Sequence, residues 1–155
     1  MPEMLNKKKE RPAEWALALL GRCEYACLGL TDEAQPYCVP VSHVLVDGCV
    51  YFHSNPRGYK AELLAQNPRV CLTAVADVHA VPMRFTTEYS SAIAFGTARL
   101  VHDPAERRRA LSAICEKYAA SNPHREKCAA NAGPETAVYC VEIESITGKR
   151  SECSE

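Results

Sequence analysis

The chain has 155 residues, 47% of them hydrophobic, and a net charge of −1, which is one domain's length with enough apolar material for a core. The near-neutral balance argues against a dedicated nucleic-acid surface, which needs a basic face. No run of about 18 apolar residues offers a membrane span, and "MPEMLNKKKE" lacks the apolar stretch of a secretory signal, so a cytoplasmic protein is expected.

In chain order, residues 1–10 read as a flexible tail holding the one basic run, Lys7-Lys8-Lys9. "RPAEWALALLGR" (11–22) predicts a short helix with Trp15, Leu19 and Leu20 on one face. "YACLGLT" (25–31) suits a buried strand and "DEAQP" (32–36) a turn. "YCVPVSHVLV" (37–46) is strand-like, but Pro40 cannot donate to a ladder and marks an edge, a bulge or an unusual backbone contact. Asp47-Gly48 then makes a tight hairpin into "CVYFHS" (49–54). Residues 56–66 predict a helix, with Ser54 or Asn55 as its cap and Pro56 at its first position.

"RVCLTAVADV" (69–78) is the next strand, "HAVPMRFTTEYS" (79–90) a loop without clear period, and "SAIAFGTARLVHD" (91–103) a long strand bent at Gly96. Asp103-Pro104-x-Glu106 opens a helix whose apolar stripe is Leu111, Ile114, Cys115 and Tyr118. A polar connector with room for a turn of helix (120–135), a last strand (136–147) and a short tail (151–155) follow. Six antiparallel strands of this length curl readily into a small barrel. The nine cysteines include no Cys-x-x-Cys pair, so neither a disulfide framework nor a metal site is expected. Cys38, Cys49, Cys71 and Cys140 fall in apolar runs, where a free cysteine behaves as a small hydrophobe.

The residues that carry chemistry crowd into "YFHSNPRGYK" (51–60). A helix start presents unpaired N–H groups and partial positive charge, Gly58 permits close approach, and Lys60 adds a full charge. That set suits a phosphate as well as it suits an ordinary capped helix. Across the hairpin, the backbone of Val41 or Ser42 could face a flat heterocycle beside Pro40.

The run "PYCVPVSHVLVDGCVYFHSNPRGYKAELLAQNPRVCLTA" (36–74) resembles the core signature of the pyridoxamine 5′-phosphate oxidase-like split-barrel flavoproteins. The shared pieces are Pro-Tyr-x-x-Pro-Val, an Asp-Gly hairpin, an aromatic-His-Ser, Gly-x-Lys and Asn-Pro-x-Val. "EYSSAIAFGTARLV" (88–101) and "EIESITGK" (142–149) are similar to the branch containing the nitroimidazole-resistance (Nim-type) proteins. The resemblance implies one domain over 11–150, a mainly β, six-stranded antiparallel split β-barrel with peripheral helices. It also implies a homodimer with FMN at the subunit interface.

By matched position, Lys60 and the backbone near Gly58 hold the FMN phosphate, and His53 and Ser54 line its phosphate and ribityl side. Val41 and Ser42 meet the pyrimidine edge through their backbone. Ser91 stands at a flavin-contacting position, and Gly148 and Lys149 close the site. The implied activity is FMN-dependent reduction of nitroaromatic or similar small acceptors by NAD(P)H, with His53 as catalytic group or as ligand. The stretch 79–90, with Pro82, Arg84, Phe85 and Tyr89, would form a wall over the isoalloxazine. Tyr37 and Cys38 replace a basic residue of the oxidases, and the end "ITGKRSECSE" lacks their Arg- and Trp-containing segment, which counts against vitamin B6 oxidation. Two alternatives stay open: a flavin carrier without turnover, and a haem-handling barrel with His43, His53, His79 or His102 as axial ligand.

Overall fold

A computed structural model describes residues 3–32, 35–130, 132–133 and 135–152. A 3-10 turn at Lys7–Lys9 leads into β1 (Glu10–Arg11), α1 (Ala13–Arg22), β2 (Ala26–Thr31), β3 (Pro36–Val41), β4 (His43–Val46) and β5 (Cys49–Ser54). Then come α2 (Tyr59–Gln66), β6 (Arg69–Val81), β7 (Thr86–Leu100), α3 (Pro104–Ala119), α4 (Arg125–Ala130) and β8 (Ala137–Ser151). The strands form one eight-stranded antiparallel sheet in the order β3-β2-β6-β7-β8-β5-β4, with β1 added beside the end of β8.

This order dictates the shape. β3 and β4 are the two edges of the sheet, yet only Ser42 separates them in sequence. One residue cannot span a flat sheet, so the sheet is rolled until its edges meet. The edges do not pair with each other, which leaves the barrel split at Ser42. Rolling also demands a stagger. From β3 one row runs Pro40, Cys27, Thr73, Ile93, Thr147. From β4 another runs His43, Phe52, Tyr139. The two sides therefore meet β8 at well-separated levels.

Alternation sorts the strands into faces. Leu28, Val50, Phe52, Leu72, Ala74, Ala92 and Ala94 point inward and are buried. α1 closes one mouth with Ala16, Leu19 and Leu20, packing so near Gly148 that a Cβ there would lie 2.8 Å from the Trp15 ring. α3 covers the outer face of β4 and β5, where Ala110 and Leu111 meet Tyr51, Val138 and Cys140. Its start is the predicted cap: the Glu106 N–H donates to Asp103 Oδ2 at 2.7 Å, with Pro104 following. Among the described residues no helix is long and apolar enough to cross a membrane.

The architecture is the expected split barrel, with local corrections. The predicted strand 37–46 is two strands broken at Ser42, and Glu10–Arg11 adds a short one, so the predicted six become eight. Residues 79–90 are not a loop: β6 and β7 run on into a long hairpin closed by a 3-10 turn at Pro82–Arg84, with Phe85 at φ 50°. Both faces of that extension carry mostly exposed residues, so no apolar alternation marked it. α2 begins at Tyr59, later than the predicted 56, with Gly58 as its cap. Asn55 Oδ1 instead accepts the Arg57 N–H at 2.8 Å and shapes a turn ahead of the helix. Cys140 is buried as expected, whereas Cys38 is exposed on the outer face. Residues 33–34 of the predicted turn and 153–155 of the predicted tail lie outside the described residues.

Candidate functional site

The predicted site residues gather around the split. Val41, the last residue of β3, is buried against the core, and Ser42 is exposed at the crossover. Because His43 pairs with Phe52, Ser42 stands next to the end of β5 that carries His53 and Ser54. α2 lies at the same end, its Tyr59 ring edge-on to Tyr37 of β3 at 5.1 Å and its Tyr59 hydroxyl on Asp32 at 3.0 Å.

Lys60 is the unusual group here. It is half-buried, and its ammonium sits 5.5 Å from the centre of the Phe52 ring. Among the described residues no carboxylate or carbonyl takes its protons. Burial alone pushes its pKa below the ordinary lysine value, as for a cation short of both water and a counter-charge. Beside it the first turn of α2 has no side-chain cap, and a Cβ built on Gly58 would meet nothing within 4 Å. The backbone at Gly58 is extended, so what the glycine leaves is open space at a helix start. An anionic group fits this arrangement: a donor set, a cation and room.

Alternation separates the two neighbours that the sequence listed together. Ser54 shares the face of Phe52, and its hydroxyl donates to the Asn55 carbonyl at 3.2 Å. His53 is exposed on the opposite face, the one that carries Tyr51 toward α3. It lines a cavity of about 540 Å³ with Leu111, Ile114, Cys115, His124 and Lys127. Its side chain is therefore not part of the Lys60 arrangement.

Ser91 lies farther round the outer face. Val75 pairs with Ser91 and Ser91 with Lys149. This row is two residues along from the row that starts at Pro40, level with Ser42. From β3 to β7 is three strand spacings, or about 15 Å. Lys149 reaches back over the Tyr89 ring at 5.2 Å. Of the expected wall, Tyr89 stands at this level, while Pro82, Arg84 and Phe85 are at the exposed hairpin tip. Gly148 faces inward under α1. The outer face of β2, β3, β6 and β7 also holds an apolar cleft of about 650 Å³, with Gly29, Cys38, Cys71 and Phe95 in its lining.

Of the four histidines named as haem ligands, His43 is fully buried, with Nε2 2.8 Å from the Leu20 carbonyl. His53, His79 and His102 are exposed.

Residues 12–150 match the family model described as pyridoxamine 5′-phosphate oxidase. The chain belongs to the pyridoxamine 5′-phosphate oxidase family. Solved structures share the fold. A candidate 5-nitroimidazole antibiotic resistance protein of Bacteroides thetaiotaomicron superposes with a TM-score of 0.74 at 25% identity, over 90% of this chain and 84% of its own. A FAD-binding protein of Mesorhizobium loti gives 0.70 at 20% identity, over 93% and 98%. The flavocytochrome of Azotobacter vinelandii gives 0.72 at 20% identity, over 98% and 77%. Among curated proteins there is no match. Membership accounts for the split barrel and for the order of the motifs in 36–74.

Two site features were missed in the sequence. The cavity beside His53 depends on α4, which falls in the polar connector where the sequence allows a turn of helix but gives no sign of a cavity. Lys117 and Tyr118, at the end of α3, reach the Ser42 crossover, although Tyr118 had been assigned to an apolar stripe. Neither residue has a local sequence signal, because their partners are about 75 residues away.

Proposed function

We propose that this family member is an FMN-dependent reductase of nitroaromatic or similar small acceptors, drawing on NAD(P)H and working as a homodimer. The observation that carries the reading is Lys60: a half-buried cation without a counter-charge among the described residues, beside a helix start that has no side-chain cap and open space at Gly58. Lys60 and the α2 N-terminus hold the phosphate, with Ser54 on the same side. The Val41–Ser42 backbone meets the pyrimidine edge, and Ser91 contacts the ring system from β7. When bound, the flavin supplies the redox chemistry.

His53 serves the acceptor. It is exposed in its own cavity, where an imidazole can orient a polar group or pass a proton. The uncovered outer face of β2, β3, β6 and β7 meets a second copy, which completes the pocket around the flavin. The resistance protein of Bacteroides thetaiotaomicron supports the choice of acceptor.

The test is flavin titration and turnover. Wild type should bind FMN and carry a flavin absorbance spectrum, and should oxidise NAD(P)H when a nitroimidazole is present. Lys60→Ala should bind FMN about tenfold to a hundredfold more weakly, the loss of a charge-assisted contact of about 1.5–3 kcal/mol. Riboflavin, which has no phosphate, should bind both proteins equally. A wild type that takes up no FMN refutes the reading. Stoichiometric FMN with no turnover on any acceptor leaves a flavin carrier.

A further inference from the structure

The basic run Lys7-Lys8-Lys9 lies apart from the residues assigned to the flavin. It forms a 3-10 turn whose exit is laddered to the end of β8, with Glu10 opposite Lys149 and Arg11 opposite Gly148. The turn is thereby held against the barrel, and it walls a cleft of about 510 Å³. Lys8, Lys9, Arg11 and Arg150 line this cleft, together with Glu88 and Glu152. By strand alternation Arg150 and Glu152 stand on the side of β8 opposite to Lys149. The cleft is therefore distinct from the margin that carries Ser91 and Lys149.

Four cations face two carboxylates here, although the whole chain carries 18 basic and 19 acidic residues. The excess is local, and a cleft lined mainly by one sign of charge concentrates ions of the other. The pairing inside the cleft leaves donors over. Arg11 and Arg150 share one carboxylate: Glu152 Oε1 lies 2.6 Å from Arg150 and Oε2 3.8 Å from Arg11. Lys9 is half-buried, and its Nζ donates to a hydroxyl, Ser151 Oγ, at 2.8 Å. Among the described residues neither Lys8 nor Lys9 forms an ion pair with a carboxylate. Asp77, an acid that also feels Arg150, is paired with Arg22. Ammonium and guanidinium groups each carry several N–H donors, so this set can meet a tetrahedral dianion from more than one side.

We propose that this cleft is a binding site for a phosphate monoester, and that its bearer is the 2′-phosphate of NADPH, so that the protein draws on NADPH rather than NADH. The first half stands on the cleft alone. The second rests on the flavin reading above, which calls for a nicotinamide donor. NADPH and NADH differ only in that phosphate, which brings close to two negative charges and only acceptor or charged oxygens. Lys8 and Lys9 supply the unpaired charge, and Arg11 and Arg150 close the other side. A free phosphorylated molecule offers the same group, and the experiment separates the two sources.

The probes are 2′-phospho-ADP-ribose and ADP-ribose, which differ by the one phosphate and need no flavin. In calorimetric titration wild type should bind the first about tenfold to a hundredfold more tightly. Lys8→Glu, at an exposed position, should bring the ratio toward one. Glu152→Gln, which removes the competing carboxylate, should raise it, a gain that a merely structural role for Glu152 would not produce. Equal binding of the two probes by wild type, or a preference that Lys8→Glu leaves intact, overturns the proposal. With FMN bound, kcat/KM should favour NADPH over NADH, by a ratio that Lys8→Glu lowers. If the phosphate is bound but both donors are used alike, the site serves a free phosphorylated molecule and the NADPH half is overturned. Failure of wild type to take up FMN sinks the flavin reading and the NADPH half with it, and leaves the phosphate site to be decided by the two probes.

Discussion

His43 is fully buried and has a partner for only one ring nitrogen. As a neutral imidazole it donates Nε2–H to the Leu20 carbonyl, which ties α1 to the start of β4. Nδ1 then carries a lone pair, and among the described residues no donor faces it. Burial opposes the protonated ring and outweighs the Leu20 carbonyl that favours it; the Lys117 ammonium adds to the opposition and the Val41 carbonyl offsets it a little, so the net effect is a lowered pKa. The sign follows directly. A lowered pKa means that the unfolded chain binds the proton more readily than the folded one. The contribution to stability is complete above the ordinary histidine value of 6.5, and is lost as pH falls below it toward the lowered folded value. Thermal melts of wild type between pH 7.5 and pH 5 should show the midpoint falling below about pH 6.5. In His43→Leu the histidine share of that fall should vanish, and an identical profile in both proteins would count against it. At this scale the sequence was a good guide where chemistry is local. Lys60 and Gly58 could be picked out because a helix start and a cation lie within a few residues. The opposite facings of His53 and Ser54 were also implicit in strand alternation, but which face is the interior depends on the rolled sheet.

The elements divide in the same way. β5, β6 and the start of α3 were legible because an Asp-Gly turn, an Asn-Pro stop and an Asp-Pro-x-Glu cap each act within a few residues. The break of 37–46 at Ser42 was not, because it is set by β2 on one side and β5 on the other. Gly96 is an intermediate case. The sequence marked it as a bend, and the pairing of β7 with β8 does shift between Phe95 and Gly96. The reason for glycine is close approach: a Cβ at 96 would lie 2.1 Å from the Glu142 carbonyl oxygen and 3.0 Å from its carbon. That neighbour is backbone in a central ladder and cannot swing aside. Gly96→Ala should therefore force β7 from β8 and cost about 1–3 kcal/mol, the range for overpacking. Urea unfolding would read this as a lower midpoint. Gly58→Ala, at a position with open space and extended backbone, should leave the midpoint within about 0.5 kcal/mol of wild type. Equal effects at the two positions would show that contact, rather than backbone freedom, had been misjudged.

For the whole molecule, what matters is which face remains uncovered. α1 fills one mouth of the barrel, and α3 covers β4 and β5. Among the described residues no helix lies over the outer face of β2, β3, β6 and β7, which carries Cys27, Cys38, Cys71, Thr73, Val75, Ile93 and Phe95. Val75 is 52% exposed and Ile93 37%. Ser42, Ser91 and Lys149 stand along one margin of this face, so a second copy lying on it would enclose whatever those residues hold. A two-fold contact places the same patch on both subunits, and a standard interface buries about 800 Å² on each. Ile93 lies in the middle row of the patch, between Thr73 and Thr147. Ile93→Glu would put two carboxylates into an apolar contact with no cation of their own, a costly burial. Light scattering after gel filtration should give wild type a dimer mass and Ile93→Glu a monomer mass. The variant should also lose FMN, while its circular dichroism stays that of a folded barrel, because the substitution faces outward. A folded monomeric variant that keeps FMN at wild-type affinity would mean that one chain suffices to hold the cofactor. A dimeric Ile93→Glu would move the subunit contact to another face.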